Sequence, residues 1–308
     1  MRLTMGFRLG STLARYRRGR MDFSMLFRLL LLLASLALFG AETVTRPFVG
    51  VTHIQRTETA FNLHLIRIDL DAPGIRFQLT GPGGSRETVR QTTLDFLTSV
   101  GAQVAVNGHF FAPYPSTDSE SFLIGLAASE GVVYSSFESP VQSYALVASA
   151  PALHIDASNH ASIVGPGYAG DLWTAVSGSA QIVTDGVVTV PIYRDDAHPE
   201  GLLTPGSYSN TRPWYNVPNP RTVIGLSADK RAVFLVTADR AAAFTVTDLA
   251  ALLACEYGVH DALNLDGGGS TTLVMQNPST GAGEVINTPS GGAARAVASS
   301  LAVFARRH

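Results

Sequence analysis

The chain has 308 residues with a formal net charge of -2, 46% of them hydrophobic and 15% charged. That is ample apolar material for one large globular domain or two small ones. No basic stripe occurs beyond the N-terminus, which points away from nucleic acid and from anionic membrane surfaces. Cys255 stands alone, so no intramolecular disulfide can form; its place in the apolar run Leu252-Leu253-Ala254-Cys255 predicts a buried, inert thiol.

The first forty residues stand apart. Arg15, Arg17, Arg18, Arg20 and Arg28 precede an apolar run from Leu29 to Phe39, and the small residues Gly40 and Ala41 follow. This is the pattern of an export signal, and the run is short for a bilayer span. Residues 1–41 are therefore read as a signal segment or an uncleaved anchor, and 42–308 as a single domain. The expected location is secreted or periplasmic, with membrane attachment confined to that segment.

From Phe48 the pattern turns β-rich. Asn62–Leu70 and Ile75–Leu79 are strand-like, separated by the turn Asp71-Ala72-Pro73-Gly74. Thr92 or Thr93 can cap a helix through Leu94, Phe96 and Leu97, with Gly101 just past its end. The strand Gln103–Val106 then runs into Asn107-Gly108-His109-Phe110-Phe111. Hairpin signals follow. Phe122–Ala128 and Val132–Ser135 flank Ser129-Glu130-Gly131. Tyr144–Ala148 is strand-like. Ala175–Val183 and Val187–Val190 flank Thr184-Asp185-Gly186, and Asp-Gly is a strong turn dipeptide. Tyr193 to Pro220 has no regular period but carries five prolines with Tyr193, Tyr208, Trp214 and Tyr215. It reads as an ordered flap whose aromatics either pin it to the body or stack on a sugar. Arg221–Ser227 and Ala232–Thr237 form a further hairpin. Thr247 can cap a helix over 248–257 that ends at Gly258, and Ser300–Phe304 closes the chain. Many strands, few helices and mixed connections predict an α+β fold, with mixed, largely antiparallel sheets.

The stretch Ala262-Leu263-Asn264-Leu265-Asp266-Gly267-Gly268-Gly269-Ser270 resists a purely structural explanation. Side chains alternate along a strand, so Leu263 and Leu265 face a core while Asn264 and Asp266 face the other way. Three glycines suit either a turn capped by Asp266 or a backbone lying against a ligand with its N–H groups exposed. The helix–glycine–strand–polar–glycine order matches the one before Asn107, which predicts that Asn107 and Asp266 sit at comparable sheet edges.

Several chemistries can be set aside. The eight histidines are scattered without ligand spacing, and no cysteine pair exists, so no zinc site is expected; Asp266 with backbone carbonyls could hold a hard cation, but the glycines offer amide donors as readily, and no cofactor is expected. No Gly-x-Ser-x-Gly elbow marks a serine hydrolase. The glycine run is not a dinucleotide fingerprint and precedes a strand-like Thr271–Met275 rather than a helix. What remains is Asn107, His109, Arg221, Asn264, Asp266 and the glycine amides, a set suited to a ligand with sugar hydroxyls and a phosphate. Arg221 offers either a fork for phosphate or a surface ion pair. His109 either serves the site or packs beside Phe110 and Phe111.

Ala105-Val106-Asn107-Gly108-His109-Phe110-Phe111, then Pro220-Arg221-Thr222-Val223-Ile224-Gly225, then Ala262 to Ser270, resemble in that order the phosphodiester glycosidase family. The C-terminal Arg295-Ala296-Val297 with Leu301–Phe304 resembles its closing strand. The chain departs from the family pattern at Ser177-Gly178-Ser179-Ala180 and Thr237-Ala238-Asp239-Arg240, which bears on substrate more than fold. The resemblance implies hydrolysis of the C1–O bond of a sugar-1-phosphodiester in exported or envelope glycans. Asp266 would be the nucleophile or the base for water, with His109 and Asp239 as candidates for a second proton carrier. Arg221 and the Gly267, Gly268 and Gly269 amides would hold phosphate, Asn107 and Asn264 would orient sugar hydroxyls, and Gly108, Thr222 and Ser270 complete the substrate-binding set. The alternative is an envelope protein that binds phosphoglycan or polysaccharide in the same cleft without turnover.

Overall fold

A computed structural model describes residues 41–138, 150–190, 217–239 and 244–308. The signal segment, the strand expected at Tyr144–Ala148 and most of the Tyr193–Pro220 flap lie outside these residues. The architecture is α+β, dominated by antiparallel sheets. The largest sheet runs, in spatial order, Ala41–Phe48, Val51–Thr57, Asn62–Asp69, Ala232–Asp239, Arg221–Leu226, Asp261–Asn264, Ala180–Thr184 and Val187–Val188. A second sheet runs Gly283–Val285, Leu273–Gln276, Val104–Asn107, Ser300–Phe304 and Arg76–Leu79. A third runs Val132–Ser135, Ala127–Ser129, Thr174–Ser177, Ala152–Ile155 and Ala161–Val164.

Alternation of side chains explains how the sheets stack. In Asn62–Asp69, Ile66 and Ile68 face the main core, which they share with Val104, Val106, Leu301 and Val303 of the second sheet and Leu153 and Val176 of the third. Leu63 and Leu65 face the other way and pack with Leu249 and Leu253 of the helix Val246–Tyr257. The helix Thr93–Val100 covers the outer face of the second sheet through Phe96 and Leu97. Each helix is closed by side chain and glycine. Thr92 Oγ1 accepts from Asp95 N–H at 3.1 Å, and Gly101 ends that helix in the left-handed region at φ 73°.

Four details differ from the sequence reading. The second helix begins earlier, because Thr245 rather than Thr247 accepts from Asp248 N–H at 3.0 Å. Its buried positions are Val246, Leu249, Ala250 and Leu253, a stripe that leaves Cys255 exposed on the solvent face. Phe122–Ala128 is not one strand: it breaks at Gly125, whose φ of 96° lets the chain pass Ser177 and leave one sheet for another. Ala175–Val183 likewise splits at Gly178, where a Cβ would lie 2.3 Å from the Asn264 carbonyl oxygen. The Asp185-Gly186 hairpin forms with both residues at positive φ, 51° and 76°.

Candidate functional site

The strand Asp261–Asn264 sits inside the large sheet, Asn264 opposite Val223 on one side and Ala180 on the other. Leu265 still donates its N–H to Thr222 O at 2.9 Å, but Asp266 donates to Gly108 O, at 3.1 Å, in the segment leaving the second sheet. Asn107 and Asp266 thus end strands of two different sheets, and those ends meet. Asn107 fastens the meeting: its Nδ2 donates to Asp266 O at 2.6 Å, while its Oδ1 accepts from Thr222 Oγ1 at 2.9 Å and Thr272 N–H at 3.0 Å. Asn107 and Thr222 are both fully buried.

Beyond this junction the chain must turn within a narrow space. A Cβ on Gly267 would come within 2.8 Å of Pro220 O, and Gly268 adopts φ 57°. Gly268 N–H donates to Pro220 O at 2.8 Å, Ser270 N–H donates to Gly267 O at 3.1 Å, and Gly268–Ser270 forms a short 3₁₀ turn. The Gly267 N–H helps hold the Asp266 carboxylate. Two of the three glycine amides are therefore engaged within the protein, and the open anion nest expected from the sequence is not formed by Gly267 and Gly268.

The turn and its neighbours enclose a hollow of about 330 Å³, lined by Phe110, Phe111, Tyr114, Asn219, Arg221, Asp266, Gly267, Gly268, Gly269 and Arg295. The Asp266 carboxylate faces it. Ser270 Oγ–H donates to Asp266 Oδ2 at 2.5 Å, and Ser270 Oγ in turn accepts from Arg295 Nε at 3.1 Å and Nη2 at 2.5 Å. Arg295 Nη2 stands 3.8 Å from Asp266 Oδ2, and its Nη1 donates to Tyr114 Oη at 2.5 Å. Burial pushes the Asp266 carboxyl up to about 6; the Ser270 hydroxyl, the Arg295 charge and the Gly267 N–H oppose that rise without cancelling it.

Arg221 reaches the hollow from the neighbouring strand. Its Nε donates to Phe244 O at 3.1 Å and Nη2 to Val217 O at 2.6 Å, and burial lowers it to about 10, so it remains a cation at neutral pH. A second hollow, of about 450 Å³, adjoins the first and shares Phe111, Tyr114 and Arg295 with it; Arg90, Ser116, Thr117, Asp118 and Ser119 form part of its lining. Arg90 orders this loop through Ser121 Oγ, Ser116 O and Pro113 O.

Other residues singled out from the sequence stand away from the hollow. His109 is fully enclosed, with Nδ1 2.9 Å from Ser299 Oγ and Nε2 2.9 Å from Leu126 O and 3.0 Å from Ser177 N. Burial lowers it to about 4, so it is neutral at physiological pH. Asp239 is buried with Oδ2 accepting from Thr288 N–H at 2.5 Å and Asn62 Nδ2 at 3.3 Å. Asn264 donates through Nδ2 to Ser179 Oγ at 2.9 Å. Gly108 lies at the sheet junction, its N–H donating to Ser299 O at 2.9 Å. The sequence reading did not place Arg295, Tyr114 or Asn219 in the site. Arg295 lay in view within the C-terminal motif, but nothing local to Gly-Gly-Ala-Ala-Arg ties it to a residue 29 positions earlier. Among the described residues, Asp185, His260 and Asp261 bring ligand atoms within 4.8 Å of one another, and none of the three lines the hollow.

The site is thus a β-sheet junction presenting one buried carboxylate and two arginines to a small pocket, a setting for a compact ligand with anionic and hydroxyl groups. By sequence the chain belongs to the phosphodiester glycosidase family, whose profile matches residues 100–304. Among curated proteins, a sequence comparison finds no match. Solved structures share the fold. The catalytic domain of zebrafish N-acetylglucosamine-1-phosphodiester alpha-N-acetylglucosaminidase, auto-inhibited by its pro-peptide, superposes with a TM-score of 0.59 at 18% identity, over 87% of each chain. A hypothetical protein from Synechocystis gives 0.58 at 13% identity, covering 88% of this chain and 65% of that one. A protein from Burkholderia pseudomallei K96243, described as a "putative exported protein", gives 0.53 at 15% identity, covering 84% of this chain and 76% of that one. No helix among the described residues is long and apolar enough to cross a membrane.

Proposed function

We propose that the protein is a hydrolase of sugar-1-phosphodiesters, acting on an exported or envelope glycan with Asp266 as its central catalytic group. The observation that carries this reading is the Asp266 carboxylate, facing the hollow with Arg295 3.8 Å away and Arg221 in the same wall. Its raised pKa leaves it ionised at neutral pH yet poorly solvated, which suits a nucleophile or a base. In the nucleophilic form of the reaction, an Asp266 oxygen bonds to C1 and the C1–O bond breaks. The electron pair leaves on the phosphate monoester, and water then releases the sugar from Asp266. If Asp266 is instead a base, it takes a proton from the attacking water. In both cases the leaving group needs little protonation, since the second pKa of a phosphate monoester is about 6. One carboxylate therefore does the work shared by two in most glycosidases.

Arg295 and Arg221 receive the phosphate charge, and Ser270 ties Arg295 to Asp266 so that the cation and the carboxylate keep a fixed separation. The group beyond the phosphate extends into the adjoining hollow, past Tyr114. Export is supported by the N-terminal signal pattern and by the description of the Burkholderia relative in fold. The experiment is a hydrolysis screen over sugar-1-phosphodiesters with the wild-type chain and Asp266→Asn. Release of sugar by the wild type and its loss in the folded variant are expected. Binding of these compounds with no release would favour the non-catalytic phosphoglycan binder.

A further inference from the structure

A second groove lies on the third sheet and, among the described residues, shares no lining residue with the hydrolytic hollow. It measures about 800 Å³ and is built from the strand Ala152–Ile155, the turn after it and the segment leading into Thr174–Ser177. Two large aromatic side chains stand at it, Tyr168 at 43% and Trp173 at 40% exposure. Exposed aromatics of this size are uncommon away from binding surfaces, because each leaves a large apolar face in water.

Both rings are laid against glycine. A Cβ on Gly131 would lie 3.4 Å from the Trp173 ring, and one on Gly170 would lie 2.4 Å from the Tyr168 hydroxyl. Main-chain bonds fix the Trp173 backbone: its carbonyl accepts from Gly131 N–H at 3.0 Å, and its N–H donates to His154 Nε2 at 3.2 Å. That bond places the His154 proton on Nδ1. The His154 ring also packs at 5.6 Å from the Tyr168 ring. One imidazole thus meets the Tyr168 ring and the Trp173 backbone, and the exposed Asp171, between the two aromatics in sequence, also lines the groove.

We propose that this groove binds a saccharide chain, stacked on Trp173 and Tyr168 and hydrogen-bonded at its edges, separately from the hydrolytic site. Sugar rings offer apolar C–H faces to aromatic rings and hydroxyl groups that donate to Asp171. Among the described residues no lysine or arginine lines the groove, and Asp156 and Asp171 do, so a nucleic acid or phosphate chain is disfavoured. A proline-rich peptide would also meet the aromatics. Its backbone, however, offers mainly carbonyl acceptors, which carboxylates cannot satisfy. A polymer held here would be kept at high local concentration near the hollow that acts on its phosphodiester.

The chain contains two tryptophans, Trp173 and Trp214, so Trp214→Phe makes the emission of Trp173 a direct reporter. Maltohexaose, cellohexaose, chitohexaose and decaproline would each be titrated into that variant. A saturable emission change with at least one hexasaccharide is expected, and adding Tyr168→Ala should weaken it about tenfold or more, the scale of one lost aromatic stack. Hydrolysis of a small soluble sugar-1-phosphodiester should be unchanged by Tyr168→Ala and by Trp173→Ala, which separates this groove from the catalytic proposal. No response to any hexasaccharide up to about 10 mM, the edge of weak binding, would overturn the inference. So would a response to decaproline alone, or equal saccharide affinity after Tyr168→Ala.

Discussion

Asp266→Asn is expected to make the protein more stable while removing its activity. Burial raises this carboxyl from 3.8 to about 6. Between those values the folded chain holds the proton more often than the unfolded chain does. Stability contributed by this group therefore falls as pH rises through that window, and the ionised carboxylate weakens the fold at neutral pH. At about 1.4 kcal/mol per pH unit, the whole effect is at most about 3 kcal/mol. The asparagine keeps an oxygen to accept from Ser270, but it loses the partner 3.8 Å away on Arg295, worth under about 1 kcal/mol. A net gain of about 1–2 kcal/mol remains, or about 2–4 °C in Tm for a domain of this size. The assay is thermal unfolding of both proteins from pH 4 to pH 8. The depressed values of His64 and His109 add their own pH dependence, but they are common to both proteins and drop out of the difference. The gap should be largest at pH 7–8 and close toward pH 4, where wild-type Asp266 is itself protonated. A gap independent of pH, or a variant less stable at pH 8, would refute the reasoning.

Three further outcomes are expected. With Asp266 needed in its ionised form, kcat/KM on a sugar-1-phosphodiester should fall on the acid side with an apparent pKa of about 6, the value set by burial; a flat profile down to pH 4.5 would count against Asp266. Ser270→Ala removes a donor to Asp266 and the anchor of Arg295, so that acid limb should move to higher pH and turnover should drop about tenfold or more, where a purely structural serine would leave the limb in place. Gly178→Ala drives a Cβ to 2.3 Å from Asn264 O, a backbone atom that cannot swing aside; denaturant unfolding should show a loss of about 2 kcal/mol or more.

The sequence carried the β-rich α+β class because its signals are local. Thr92 and Gly101 bracket a helix, Asp185-Gly186 closes a hairpin, and Leu263 and Leu265 alternate with Asn264. It failed where a strand changes sheets, at Gly125 and Gly178, because both look like ordinary strand glycines until the neighbouring strands they touch, at Ser177 and Asn264, are known. In the site, Asp266, Arg221 and the glycine turn were visible and meet at one hollow. Arg295 and Tyr114 were not, since a loop arginine and a tyrosine between two prolines have no periodicity to betray their direction. Asn107 and His109 stood out as polar residues in apolar surroundings; the structure spends them on joining strands, with Asn107 bonded on both ends of its amide.

That amide has a consequence for how the protein fails. Asn107 grips three separate chain segments at once, and the pocket exists only where those segments converge. Loosening one removes the footing of the others, so no half-assembled form can retain a serviceable pocket. Heating should therefore extinguish turnover and melt the large sheet on a single superimposable curve, with no warm, structured and inactive stage in between.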